Sequence, residues 1–238
     1  MRTFGLIGKN LSHSFSARYF NEKFYKEVIT DAEYLNFEIN EISEFTHLIK
    51  TKNLAGLNVT LPYKESIIPF LDELSENAKR IGSVNTIQIS RGKLIGHNTD
   101  VIGFKQSIRP LLAGRNTALI LGDGGAAKAV KFVFNQLNIS HKIINRNSSF
   151  DYSDITSQLI DYSTIIINTT PLGMTPEIKN YPKIPYALLT EKHLLFDLIY
   201  NPKETLFLKY GKANKAFTKN GLEMLQIQAE TSWNIWNT

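Results

Sequence analysis

Residues 117–130, TALILGDGGAAKAV, constrain this chain more than any other stretch. TALILG is an unbroken apolar run, the mark of a strand buried on both faces of a parallel sheet. Gly122, Gly124 and Gly125 follow it, Ala127 completes the spacing G-x-G-x-x-A, and a helical stretch runs on from about Ala126 to Leu137. A tight turn without side chains lets the backbone approach a pyrophosphate, which then rests on the helix N-terminus. The candidate contacts are Gly122, Asp123, Gly124, Gly125 and Ala126. A purely structural strand–helix turn is the competing reading. Asp123 is the odd member, because a carboxylate beside a pyrophosphate repels it. Either it points away from the phosphates or affinity suffers, and the sequence leaves both open.

The next strand, His141–Asn145, ends in IINRNSS. Enzymes that use NAD place an acid there for the ribose 2′-hydroxyl. This chain offers Arg146, flanked by Asn145 and Asn147, and a guanidinium matches a 2′-phosphate through charge-assisted, bidentate bonds. NADP is therefore favoured over NAD. A solvated strand-end charge is the plainer reading of Arg146. A short helix, then the apolar strands TIIINTT and LLFDLIY, complete an alternation that reads as doubly wound α/β.

The first hundred residues have a different rhythm. A strand over Thr3–Ile7 ends at Gly8, and Phe15, Tyr19, Phe20, Phe24 and Val28 recur at helical spacing. Leu35, Phe37 and Ile39 alternate as in a strand. Phe45, Leu48 and Ile49 predict a short helix, and Leu57 and Val59 a further strand. Pro62 is placed to open a helix, where its missing N–H costs nothing. A helical stripe through Leu71, Leu74, Ala78 and Ile81 restarts at Pro69. VNTIQISRGKLIGHN is a hairpin turning at Arg91-Gly92, and a helix after Asp100 carries Val101, Phe104, Ile108 and Leu111. The last helix, Leu222–Trp236, presents Leu222, Leu225, Ala229, Trp233 and Trp236 on one face.

The expected architecture is two α/β units, with the break in the helix after Asp100 and the final helix returning to the first unit. Of 238 residues, 42% are apolar, enough for such cores. The absence of cysteine excludes disulfides, thiolate catalysis and cysteine-ligated zinc, and no metal site is expected. The start RTFGLIG is too short for a signal peptide, and no apolar run reaches the ~18 residues of a membrane span. A soluble, cytoplasmic protein is expected. The formal charge of +5 is scattered rather than striped, which argues for mild attraction of small anions and against a nucleic-acid partner.

Several fragments also occur together, and in order, in the shikimate dehydrogenases: SHSFS, NVTLPYKE, GSVNT, GHNTD, GDGGAA, NRN, TTPLGM, FDLIY and GLEMLQIQA. The chain resembles that family over nearly its whole length. The resemblance implies an α/β protein of two domains: residues 1–100 with 222–238 as a substrate-binding and catalytic domain around a mixed sheet, and residues 101–221 as a Rossmann-like NADP-binding domain, with the active site in the cleft between the two. The resemblance implies reversible, NADPH-dependent reduction of 3-dehydroshikimate to shikimate, a step toward chorismate and the aromatic amino acids. It implies that Lys64 and Asp100 carry the proton chemistry. A cationic lysine can stabilise the developing alkoxide, and lysine or carboxylate can relay the proton. Taken singly, Lys64 reads as a solvated lysine and Asp100 as a helix N-cap.

By the same resemblance Ser14 and Ser16 hold the substrate carboxylate, and Thr60, Asn85, Asp100, Tyr200 and Gln228 contact the ring, with Asn58 an addition. Serine N-capping is compatible with that role, since a helix N-terminus also attracts anions. Leu198 and Gly221 lie near the nicotinamide, and Glu76 is a weaker cofactor candidate. His13 is expected to be structural, and His97 has no assigned role. Two departures stand out. Asn147 replaces the usual hydroxyl residue after the basic one, and the chain stops two residues after Trp236, where many members continue. Monomer and homodimer both stay open. The competing functions are a quinate/shikimate dehydrogenase, a non-catalytic NADP-binding sensor, which would not need Lys64 and Asp100 together, and a nucleic-acid module.

Overall fold

The computed structural model describes residues 1–12, 14–145 and 151–238. His13, Arg146 and Asn147 lie outside the described residues. The chain divides into two compact units, Met1–Ile102 with Gln226–Thr238, and Gly103–Leu225.

In the first unit the elements run β1 (Arg2–Gly8), α1 (Phe15–Lys26), β2 (Ala32–Glu38), α2 (Glu44–Thr51), β3 (Leu54–Val59), β4 (Glu73–Leu74), α3 (Glu76–Ile81), β5 (Thr86–Ser90) and β6 (Lys93–His97), and α4 (Asp100–Ile108) begins there. The strands form one sheet in the order β2-β1-β3-β5-β6-β4. β1 is parallel to β2 and β3, whereas β5 is antiparallel to both β3 and β6, so the sheet is mixed. The β5–β6 hairpin turns on Arg91 and Gly92, both at positive φ, the conformation that matches the twist of the flanking strands.

Central strands β1 and β3 are covered on both faces. Ile7, Leu57 and Val59 pack with Phe45, Tyr63 and Ile67 on one side. Phe4 and Leu6 pack with Phe20, Phe24, Tyr34 and Trp236 on the other. Trp236 stacks on Phe4 at 4.9 Å between ring centroids, and its indole N–H donates to the Ile87 carbonyl at 3.0 Å. A buried indole needs such an acceptor.

The second unit continues α4 into β7 (Thr117–Leu121), α5 (Gly125–Gln136), β8 (Ser140–Ile144), α6 (Ser157–Tyr162), β9 (Ile165–Asn168), β10 (Leu194–Asp197), α7 (Leu206–Ala213) and β11 (Phe217–Lys219). Its five strands are all parallel, in the order β11-β10-β9-β7-β8. β7, β9 and β10 are the inner strands, and their apolar runs are buried on both faces. The order reverses at β7, whose neighbours are β8 and β9. That is the switch point where doubly wound sheets bind ligands. The last helix, α8 (Leu222–Trp236), starts in this unit and ends in the first.

Four local expectations are corrected. No helix begins at Pro62. The Leu61–Pro62 peptide is cis and turns follow it. The Ile67 N–H reaches the Tyr63 carbonyl, but the Lys64 carbonyl is taken by the Val84 N–H at 2.7 Å and the Ile68 N–H bonds Glu65 instead. A tertiary bond thus interrupts the helical ladder. The stripe from Leu71 to Ile81 is likewise split, because Glu73–Leu74 pairs with β6 and only Glu76–Ile81 is helical. Val28 lies beyond α1, exposed and at positive φ. On β2 Leu35 is exposed, whereas Tyr34 is buried in one core and Phe37 is partly buried against the other.

Candidate active site

The loop after β3 carries Lys64, and two anchors fix its course. Tyr63 and Ile67 are buried, and the Tyr63 hydroxyl donates to the Ile39 carbonyl at 2.8 Å. Between these anchors Lys64 projects its ammonium to Asp100, with Nζ and Oδ2 2.7 Å apart. The two side chains are 16% and 6% exposed, unlike the open pair of Arg18 and Glu22 at 3.8 Å. Exposed pairs contribute roughly 0–1 kcal/mol. A nearly buried pair instead costs about 3–5 kcal/mol when one partner is removed. The helix-capping duty that Asp100 could have held falls to Asn98, whose Oδ1 accepts from the Val101 N–H.

Beside this pair lies a buried polar network. The Thr99 N–H donates to Asn85 Oδ1 at 2.7 Å, which fixes the orientation of that amide. Asn85 Nδ2 donates to Thr99 Oγ1 at 3.0 Å and reaches Gln228 Oε1 at 3.4 Å. Gln228, 6% exposed, keeps its Nε2 unengaged among the described residues. Asn58 is consumed by this network. Its Oδ1 accepts from Tyr34, and its Nδ2 faces the Asn85 carbonyl, Thr86 and Ser232, so it supports the site rather than offering donors to a ligand. Thr86, Thr99 and Ser232 are structural members that the sequence reading missed. Thr99 stood inside a quoted motif, but Ser232 was hidden on a helix face that reads as apolar. That buried face holds Gln228, Ala229, Ser232 and Trp236.

Ser14 caps α1, its Oγ accepting from the Ala17 N–H at 3.3 Å, and Ser16 follows in the first turn of that helix. Thr60 follows β3, with its N–H on the Ile7 carbonyl and its own carbonyl accepting from the Tyr63 N–H. Glu76 is an exposed residue in the first turn of α3. His97 Nε2 is buried without a hydrogen-bond partner among the described residues, and burial pushes its pKa down, favouring a neutral imidazole.

In the second unit Gly122 stands at φ +106, and a Cβ there would meet Thr169 Oγ1 at 2.7 Å. Its N–H bonds the Ile144 carbonyl at 2.8 Å, tying the turn to β8. Gly124 is the N-cap of α5 with no capping side chain, and open space lies where its Cβ would be. The first-turn N–H groups of α5 are thus left without a side-chain acceptor, and Ala126 follows the buried Gly125 within that turn. These features fit a pyrophosphate. Asp123, exposed, turns toward the end of β8, where Asn145 Nδ2 donates to its Oδ2 at 2.6 Å.

Leu198 and Gly221 are brought together. A Cβ on Gly221 would run into the Leu198 carbonyl, and the Gly221 N–H bonds the Ile199 carbonyl at 3.0 Å. Tyr200 follows in the same loop. Asp197 holds the loop from below, accepting from the Ile199 N–H at 3.1 Å, Asn168 Nδ2 at 3.0 Å and Thr205 Oγ1 at 2.5 Å. Burial pushes this carboxyl up to about 7, against the lowering effect of those three donors. Between about pH 4, where an exposed Asp ionises, and about pH 7, the folded state keeps a proton that the unfolded chain has released. Its stabilising contribution is present below that window and lost as pH rises through it. Melting curves should therefore show the wild type losing ground to Asp197→Asn from pH 4.5 to 7.5. Parallel curves would assign Asp197 no titration in that range.

Among the described residues no helix is long and apolar enough to cross a membrane, and no cluster of three or more His, Asp or Glu could hold a metal. The family model for the shikimate dehydrogenase substrate binding domain matches residues 6–87. A shikimate dehydrogenase (NADP+) of Methanosphaera stadtmanae is 38% identical over 256 residues, covering 98% of this chain and 90% of the relative. The crystal structure of shikimate dehydrogenase 1 from Peptoclostridium difficile is similar with a TM-score of 0.89 and 37% identity, over 100% of this chain and 92% of that one. A shikimate 5-dehydrogenase of Thermus thermophilus, solved with NADP(H) and shikimate, gives a TM-score of 0.88 at 27% identity, over 99% and 93%. With motifs, both sheets and near-complete sequence coverage in agreement, this chain belongs to the shikimate dehydrogenase family.

Proposed function

We propose that the chain is an NADP-dependent shikimate dehydrogenase that reversibly reduces the ring carbonyl of 3-dehydroshikimate, on the route to chorismate and the aromatic amino acids. The observation that carries this reading is the Lys64–Asp100 pair at 2.7 Å, nearly buried, with Asp100 next in the chain to Thr99, which bonds both Asn85 and Gln228. A sensor that only bound the dinucleotide would have no use for such a costly pair. When bound, NADPH supplies the hydride.

Lys64 places a positive charge and a proton on Nζ, both suited to a carbonyl oxygen that is becoming an alkoxide. Asp100 orients Nζ and offsets the cost of burying its charge. Ser14 and Ser16, at the start of α1, suit the ring carboxylate, because that N-terminus also favours an anion. Thr60, Asn85, Gln228 and Tyr200 supply short polar groups for the ring hydroxyls. The turn Gly122–Ala126, with Asn145, Arg146 and Asn147, holds the phosphates and adenosine ribose, and Leu198 and Gly221 flank the nicotinamide. The protein acts in the cytoplasm on a small molecule, as a monomer or homodimer, without nucleic acid or membrane.

Absorbance at the nicotinamide band tests the proposal. Initial rates are measured with shikimate or quinate, each with NADP+ and with NAD+. The expected order has shikimate with NADP+ fastest. Quinate at an equal or higher rate would reassign the substrate, and no rate in any mixture would overturn the reading.

A further inference from the structure

Asp123 occupies the second position of the glycine turn, a poor place for an anion if the turn holds phosphates. Its carboxylate does not stay over the start of α5. Leu121 pairs with Ile144 in the parallel register of β7 and β8, and the Gly122 N–H bonds the Ile144 carbonyl. The first residues past the two strands therefore lie side by side. Across that gap Asn145 Nδ2 donates to Asp123 Oδ2 at 2.6 Å, while no described residue engages Oδ1. An exposed acid thus stands at the end of β8, supplied by the neighbouring turn rather than by β8 itself. That is where dinucleotide-binding folds present an acid to a ribose 2′-hydroxyl.

We infer that Asp123 is a specificity-determining residue. Its carboxylate accepts from a ribose 2′-hydroxyl and repels a 2′-phosphate, so it moderates the NADP preference set by Arg146. The inference rests on the dinucleotide reading of the glycine turn. A phosphate monoester carries close to two negative charges at pH 7.5. Repulsion between it and a carboxylate a few ångströms away in a solvent-exposed site is worth on the order of tenfold in affinity, and salt screens it.

The test is isothermal titration of the full chain, and of Asp123→Asn and Asp123→Ala, with four probes: NADP+, NAD+, adenosine 2′,5′-bisphosphate and adenosine 5′-monophosphate. Asp123→Asn keeps the side-chain shape and a polar partner for Asn145, so the turn is preserved. In both variants the two 2′-phosphorylated probes should bind roughly tenfold tighter at low salt, with the gain shrinking as salt rises. The two probes lacking that phosphate should bind no better than to the wild type. Equal changes for all four probes, or an unchanged ratio, would reduce Asp123 to a structural partner of Asn145 and overturn the inference alone. A wild type that bound none of the four would overturn the dinucleotide reading itself.

Discussion

Lys64→Ala should lower kcat for shikimate oxidation by about a thousandfold and leave KM within about threefold, because charge and proton are needed mainly in the transition state. The same change strands Asp100, whose side chain is only 6% exposed. An unpaired charge at such depth costs several kcal/mol, of the order of 3–5, so a fall in activity could be a fall in folded protein. The double variant Lys64→Ala/Asp100→Asn removes the stranded charge. It should recover most of the lost melting temperature and none of the turnover. If the double variant regained turnover together with stability, or if Lys64→Ala turned over at a near-normal rate, Lys64 would have no part in the chemistry.

Arg146→Ala should raise KM for NADPH by about thirtyfold while moving KM for NADH less than about twofold, since only NADPH carries the 2′-phosphate. A hydrogen bond to a charged group contributes roughly 1.5–3 kcal/mol, or about ten- to a hundredfold. Stopped-flow binding of both reduced cofactors gives the comparison directly. Equal losses would mean that Arg146 shapes the loop without reading the phosphate. Together with Asp123→Asn, this variant brackets the site: removing the cation should cost NADPH affinity and removing the anion should restore some of it.

The second unit was the more legible one. An inner strand of a parallel sheet is apolar throughout, so TALIL, TIIIN and LLFD announce themselves, and Gly122, at positive φ against Thr169, marks a turn that a side chain would block. The first unit was harder to read. Its strands β1 and β2 and the hairpin at Arg91-Gly92 follow local pattern, whereas the segment from Pro62 to Ile81 does not. There the Val84 N–H takes the Lys64 carbonyl and β6 recruits Glu73–Leu74. Both partners are distant in sequence, and no window of neighbouring residues contains them.

The candidate site divides in the same way. Lys64 and Asp100 were named from motifs, but 36 positions separate them, and nothing in either motif states that they form an ion pair. Ser232 was invisible, because a serine on a tryptophan-rich helix face carries no signal until Asn58 and Thr86 are found against it. The sequence by itself determined the strand–turn–helix that suits a dinucleotide, the family, and the residues to question, because these depend on short-range pattern and residue chemistry. Only the tertiary structure decided that Lys64 faces Asp100, that Asn58 is spent inside the network, and that Asp123 leans to Asn145. Each of those is a contact between elements, fixed by sheet register and burial that no local run of residues encodes.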